Sequence, residues 1–237
     1  MKKRIFAMAL IAVLLLTGCS SGRRETVEGR VEAPRAMETP EVTESVENEN
    51  PLSLGRMEGG TYVNEYVGFG CDLDDSWVFY SAEELQAMPE QVKEAVSGSE
   101  LGDALDAMSQ FTDVMAENVD ALVNFNVLYQ KLSAQEQISN AITSEEALMD
   151  GILSIQDQMV DAYAQAGIMV QSMEKKLVTY LGKEAWAIYT VSEVSSVPYY
   201  MLQVYNYHLG AYGYTLTASS YLEDNTQTIL DMVYPLD

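Results

Sequence analysis

From residue 175 to residue 220 the chain reads as four consecutive strands, near 175–181, 184–193, 199–208 and 211–220. Gly182 and Gly210 mark tight turns between them, and residues 195–198 mark a looser one. Strands joined by such short connections pair antiparallel. This meander limits the fold to an antiparallel sheet, and the rest of the chain must cover it.

Helical patterns supply the cover. Ser81 and Glu84 have capping-box spacing, and a helix follows that is interrupted near Pro89 and at Ser97-Gly98. Leu101, Leu105, Met108, Phe111 and Met115 recur at three- and four-residue steps, which predicts a helix over 100–117. A second capping box, Thr143 to Glu146, opens the longest predicted helix, carried by Leu148, Ile152, Ile155, Met159 and Tyr163 and stopped by Gly167. A short helix is expected near 223–233, ahead of Pro235. Three further strands are expected: 61–69, a return strand from Trp77 beyond an Asp74-Asp75 turn, and 123–129, where Val123, Phe125, Val127 and Tyr129 alternate with Asn124, Asn126 and Leu128. Helices packed on an antiparallel sheet give an α+β fold class in two or three layers.

The ends of the chain bear on location. Lys2, Lys3 and Arg4 precede an apolar run, residues 5–16, that is far shorter than the roughly 20 residues a membrane-spanning helix needs. That run leads into Leu16-Thr17-Gly18-Cys19, the layout of a secretory signal. The tetrapeptide resembles the lipobox of bacterial lipoproteins. The resemblance implies cleavage before Cys19, diacylglycerol on its sulfur and acylation (palmitate-type) of its amine, placing the protein on the extracytoplasmic face of a cell membrane. Two or three acyl chains suffice for stable anchoring. Residues 20–56 hold eight Glu, five Arg and three Pro with few large apolar side chains, and read as a disordered acidic linker. Such a tether reaches about 30–35 Å. The expected organisation is a signal at 1–18, the lipidated cysteine and linker at 19–56, and one α+β domain at 57–237.

Charge and cysteine content narrow the function. The net charge is −23, and −26 without the three basic residues of the signal. That surface repels nucleic acid and anionic lipid headgroups. With Cys19 lipidated, Cys71 is left alone, so the mature chain has no internal disulfide and depends on its core. Cys71 itself reads as a small buried hydrophobe.

Catalytic signatures are missing. His208 is the only histidine, which rules out a two-histidine zinc site and leaves a triad without its nucleophile elbow. There is no Walker loop or dinucleotide fingerprint. Paired carboxylates of the glycosidase kind are a three-dimensional arrangement that spacing does not select. The expectation is a non-enzyme without a cofactor. Asp72, Asp74, Ser76 and Glu83 fall at offsets of an EF-hand loop, but Trp77 stands where that loop needs glycine. An acidic hairpin turn fits better, and Asp72, Asp74 and Asp75 remain as a weak candidate Ca²⁺ contact.

Tyrosines crowd the meander. Tyr combines an apolar body with a polar tip and suits both cores and binding surfaces. In 212–218, Tyr212, Tyr214, Leu216 and Ala218 share one face, while Gly213, Thr215, Thr217 and Ser219 share the other, which reads as a core face opposite a polar face. Tyr205, Tyr207, Tyr212 and Tyr214 are the candidate ligand-binding residues.

The segment from Gly60 to Phe69, with Tyr62, Asn64, Tyr66 and Gly68, followed by Trp77, resembles the opening hairpin of the Mog1/PsbP-like superfamily. The later order of long helix and meander is similar to the α/β/α sandwich of that superfamily. An Asp74-Asp75-Ser76 run stands where many members carry a proline. The resemblance implies an α/β/α sandwich and an accessory or binding role, and it carries over no catalytic residue. The expected function is a lipid-anchored, non-catalytic interaction module for another envelope or surface protein. The alternative is a small-ligand receptor for a glycan, peptide or cation. A hydrolase has only the count of acidic residues behind it.

Overall fold

The computed structural model describes residues 52–81, 83–85 and 110–236. The expected signal, the cysteine expected to carry lipid (Cys19) and most of the expected linker fall on residues outside that set. So do the predicted breaks at Pro89 and Ser97-Gly98.

Among the described residues all strand pairs are antiparallel. A seven-stranded sheet has the order β4-β5-β6-β10-β9-β8-β7, with β4 Val78–Phe79, β5 Gln110–Asn118, β6 Val123–Lys131, β7 Ile168–Tyr180, β8 Lys183–Val194, β9 Val197–Asn206 and β10 Tyr212–Tyr221. The predicted meander is β7 to β10. Its first two turns are tight hairpins. Leu181-Gly182 and Ser195-Ser196 all have positive φ, at 52°, 71°, 53° and 65°. That is the twist of a type I′ turn, which matches the strands it joins. The 195–198 connection is therefore tighter than its sequence suggests.

Helices cover one face of this sheet. They are α1 Ala134–Ile142, α2 Glu145–Leu153 and α3 Gln156–Gln165. Met149 and Ile152 of α2, with Met159 and Tyr163 of α3, pack with Ile188, Tyr199, Met201 and Tyr205 of the sheet. A second, four-stranded sheet covers the other face: β1 Arg56–Glu58, β2 Thr61–Asn64, β3 Phe69–Asp72 and β11 Val233–Pro235. Tyr62, Tyr66 and Phe69 from it, with Ile229 and Leu230 of the short α4 (Thr226–Leu230), meet Phe125, Tyr129, Tyr214 and Leu216. The layers run helices, large sheet, small sheet. Among the described residues the antiparallel sheet stands and strands dominate, so the α+β class is met only loosely, and a sheet lies where an α/β/α sandwich would have helices.

Several elements differ from the sequence reading. Residues 61–69 are not one strand. Asn64 Oδ1 accepts the N–H groups of Tyr66 and Val67, and Gly68 takes φ +76°, so the chain turns there into a hairpin. The segment starting at Trp77 does not return to that hairpin, because β4 pairs with β5 in the large sheet. The end of the predicted 100–117 helix is strand β5. Its Phe111–Met115 spacing imitates a helix because a bulge at Asp113 interrupts the alternation. Thr143 closes α1, and Ser144, one residue on, caps α2 by accepting from Ala147 N–H. The long helix breaks at Ser154, whose hydroxyl donates to the Gly151 carbonyl. Gly167, at φ +80°, ends α3 as expected. Packing also reaches further towards the N-terminus than residue 57, because Gly55 N–H donates to Asp113 and Leu52 touches the core. Among the described residues no helix is long and apolar enough to cross a membrane.

Candidate functional site

Asp113 is the extra residue of the β5 bulge: Thr112 pairs with Leu128 and Val114 with Val127, which leaves Asp113 without a partner in β6. A bulge re-aims a side chain, and this one turns a carboxylate towards the small sheet. Asp113 Oδ2 accepts from the Tyr62 hydroxyl at 2.6 Å and from Asn64 Nδ2 at 2.7 Å, while Oδ1 accepts from Gly55 N–H at 3.0 Å. Asn64 Nδ2 also donates to the Tyr129 hydroxyl at 2.8 Å, and its Oδ1 shapes the 65–68 turn. Burial pushes the Tyr62 and Tyr129 phenols well above their ordinary value, and the Asp113 charge adds to it. Both stay protonated, Tyr62 donating to Asp113 and Tyr129 accepting from Asn64. The cluster is saturated with partners, so it works as a clamp between the two sheets rather than as a base or nucleophile.

The four candidate tyrosines do not share a surface. Tyr205 and Tyr207 lie on the helix side, 6.0 Å apart between ring centroids, with their hydroxyls donating to Gln203 and Gln130. Tyr212 and Tyr214 lie on the small-sheet side, where Tyr212 meets Phe111 edge-on and Tyr214 shares a hydrogen bond with Tyr180. The register sets this split: Tyr205 is paired with Thr215, and Tyr214 with Asn206. Tyr205 and Tyr214 are buried.

The aspartates do not converge either. Asp72 accepts from the Thr61 hydroxyl at 2.8 Å and from the Tyr234 hydroxyl at 3.2 Å. Asp74 accepts from the backbone and hydroxyl of Ser76, which holds its carboxyl below the usual range. Among the described residues no group of three His, Cys, Asp or Glu is placed to hold a metal ion. Cys71 is buried, and burial pushes its thiol up to about 12, which makes it inert. His208 is exposed, with its backbone N–H on Asn206 Oδ1.

The helix-facing side of the central strands carries something the sequence reading missed. Asn124, Asn126, Thr190, Gln203, Thr217 and Ser219 are all buried there. Register sets Asn126, Thr217 and Gln203 side by side across β6, β10 and β9, and Asn124 beside Ser219 one step further along. Ser219 Oγ donates to Asn124 Oδ1 at 2.8 Å. Gln203 Nε2 reaches Thr217 Oγ1 only at 3.5 Å. Among the described residues no group pairs with either end of the Asn126 amide, with Asn124 Nδ2 or with Thr190 Oγ1. The Tyr199 hydroxyl also lacks a hydrogen bond of proper geometry, although Ser219 stands close enough to offset part of the burial that raises its pKa to about 12. A signal was available: two asparagines inside a strongly apolar strand run against strand propensity.

The fold is similar to the solution structure of cyanobacterial PsbP (CyanoP) from Synechocystis sp. PCC 6803, with a TM-score of 0.38 and 11% identity, over 78% of this chain and 94% of that one. No protein-family model matches the chain, nor does any curated protein sequence.

Proposed function

We propose that this is a lipid-anchored extracytoplasmic protein, held to the membrane through Cys19, whose body is a non-catalytic module that docks on another envelope or surface protein. Helix α1 carries this reading. A complete Ser133–Glu136 capping box holds it, yet none of its residues is buried. Ile138 and Ile142, one turn apart on the same side, are 70% and 86% exposed. Glu136, Gln137 and Asn140 are the less exposed positions, so the side of the helix nearest the body is polar while both isoleucines face outward. No basic residue lies in α1, and Glu145 and Glu146 open the next helix. The partner expected on this surface has an apolar groove with a basic rim, matching both the isoleucines and the net charge of −23. Four carboxylates, Asp74, Asp113, Glu117 and Asp224, each accept hydrogen bonds from neighbouring groups of the fold, which supports structural roles for them.

A photo-crosslinking residue at position 142 in the full chain, in intact producing cells, tests this. One reproducible protein neighbour is expected, lost when Ile138 is replaced by Asp and not captured from the exposed position 228 of α4. No neighbour, or the same set from both positions, refutes the docking role of α1.

A further inference from the structure

We propose that strand β7 pairs antiparallel with β7 of a second copy of this chain, about a two-fold axis at Lys175, so that two large sheets become one continuous sheet. The first observation is the edge itself. Among the described residues β7 is the longest strand, at 13 residues, and β8 is its only neighbour. The other sheet edges are blunted by brevity: β4 has 2 residues, β1 and β11 have 3 each. The hairpin decides which groups of β7 are left over. Tyr180 and Lys183 flank the two-residue turn and exchange both backbone bonds, so Tyr180, Val178, Lys176 and Glu174 direct theirs to β8. Thr179, Leu177, Lys175 and Met173 then aim their N–H and C=O groups outward. Gln227 agrees with that parity, because its Nε2 donates to the Thr179 carbonyl at 2.9 Å. This bond occupies the edge at one end, and the bulge at Gln171 interrupts it at the other. Between them the backbone of Met173, Lys175 and Leu177 stands open.

The second observation is that the usual guards are turned aside. Lysine side chains projecting from an edge strand discourage pairing. Lys175 instead lies over the helix side, 2.9 Å from Glu146 and 2.8 Å from Asp150, and Lys176 lies 4.2 Å from the ring centre of Tyr189 on the small-sheet side. No proline interrupts residues 168–180. The third is charge. In a chain of net charge −23, residues 162–183 hold three lysines and a single acid, Glu174, so the charge that keeps copies apart is locally reversed along this strand. The fourth is register. An axis at Glu174 would set two Glu174 carboxylates face to face, and an axis at Lys176 would do the same to two ammonium groups. The axis at Lys175 lets the outward groups meet, sets Glu174 opposite Lys176 twice over, and sets Met173 opposite Leu177, which is 48% exposed in the single chain. The two Lys175 side chains meet at the axis, each already facing two carboxylates. About six main-chain bonds follow from this register. The pairing uses no residue of α1, so it stands or falls separately from the docking reading.

The experiment uses the full chain in detergent, diluted until micelles far outnumber chains, with one cysteine introduced at a time and a mild oxidant added. Cα atoms paired at the axis lie about 5.5 Å apart, within disulfide reach. Lys175→Cys is therefore expected to give a disulfide-linked dimer. Gln171→Cys, on the same strand but more than about 20 Å from its copy in this register, is expected to give none. No dimer from Lys175→Cys, or equal amounts from both positions, overturns the proposal. Sedimentation of the chain without added cysteine provides the second arm. Lys176→Glu should weaken the dimer about tenfold, and Glu174→Lys combined with Lys176→Glu should restore it. Leu177→Pro removes one outward N–H and leaves the ladder to β8 intact, so it should abolish the dimer with the fold retained. If the proline variant does not fold, the charge swap decides alone. A monomer at every concentration, or a swap that fails to restore pairing, overturns the proposal as well.

Discussion

Replacing Asn64 by Ala should separate the two sheets energetically more than any comparable change to a small side chain. The residue is buried and makes four hydrogen bonds that the alanine cannot: donations to Asp113 and Tyr129, and acceptance from the Tyr66 and Val67 N–H groups. The bond to the carboxylate is charge-assisted and worth about 1.5–3 kcal/mol, and each stranded buried N–H costs about 1–3 kcal/mol. Asp113 keeps Tyr62 and Gly55, and the 65–68 turn opens partly to water, so the net loss is set at about 4 kcal/mol rather than at the sum. For a domain of this size that is roughly a 8–16 °C drop in melting temperature. Urea unfolding followed by the fluorescence of Trp77 and Trp186 measures it, with an unchanged slope expected. Asn64→Asp provides the discriminating partner. It preserves the turn acceptor but sets a second carboxylate against Asp113, so it should be at least as unstable as the alanine variant at pH 7 and recover as acid protonates one of the pair. A loss under about 1 kcal/mol for Asn64→Ala, or no acid recovery for Asn64→Asp, would refute the clamp.

Two further predictions concern the backbone and the buried titratable groups. Ser196 is exposed and takes φ 65°, so Ser196→Gly should relieve left-handed strain and raise stability by about 0.5–1 kcal/mol, seen as a higher urea midpoint; a lower midpoint would mean that the serine is not strained. Burial raises the Tyr199 phenol from 10.0 to about 12 and the Cys71 thiol from 9.0 to about 12. Because these pKa values are higher folded than unfolded, the native state keeps protons that the unfolded chain gives up. Their contribution is complete below pH 9 and drains away between pH 9 and pH 12. The urea midpoint should fall across that window, with part of the tyrosinate absorbance appearing only on unfolding, and a flat midpoint would contradict the burial of these groups.

What the sequence disclosed and what it hid have physical causes. Strands β7 to β10 were legible because Gly182 and Gly210, both at positive φ, punctuate alternating runs, although the tight Ser195-Ser196 turn read as a looser connection. Strand β5 was not, because the bulge at Asp113 puts Phe111, Val114 and Ala116 against the same core and so erases the two-residue period. Helix α1 went unread although Ser133 and Glu136 have the spacing that was recognised at Ser81. The candidate tyrosines were grouped by closeness in sequence, while the clamp joins residues 62, 64, 113 and 129, whose closeness arises only from stacking one sheet on another.

The polar face of β6 and β10 shows the same limit from the other side. Alternation of Val123, Phe125 and Val127 with Asn124 and Asn126 fixes two faces, and by itself a polar face reads as a wet one. That inference needs the strand to have a solvent side. Strands β6, β10 and β9 occupy the middle of a three-layer stack, and their positions are buried on both sides almost throughout. Part of the row finds partners there, Ser219 on Asn124 and Tyr205 on Gln203, while the Asn126 amide pairs with no group among the described residues, an exception that natural cores rarely keep. The same alternation that suggests an ordinary amphipathic sheet therefore becomes, once the topology places it at the centre, a polar layer inside the core.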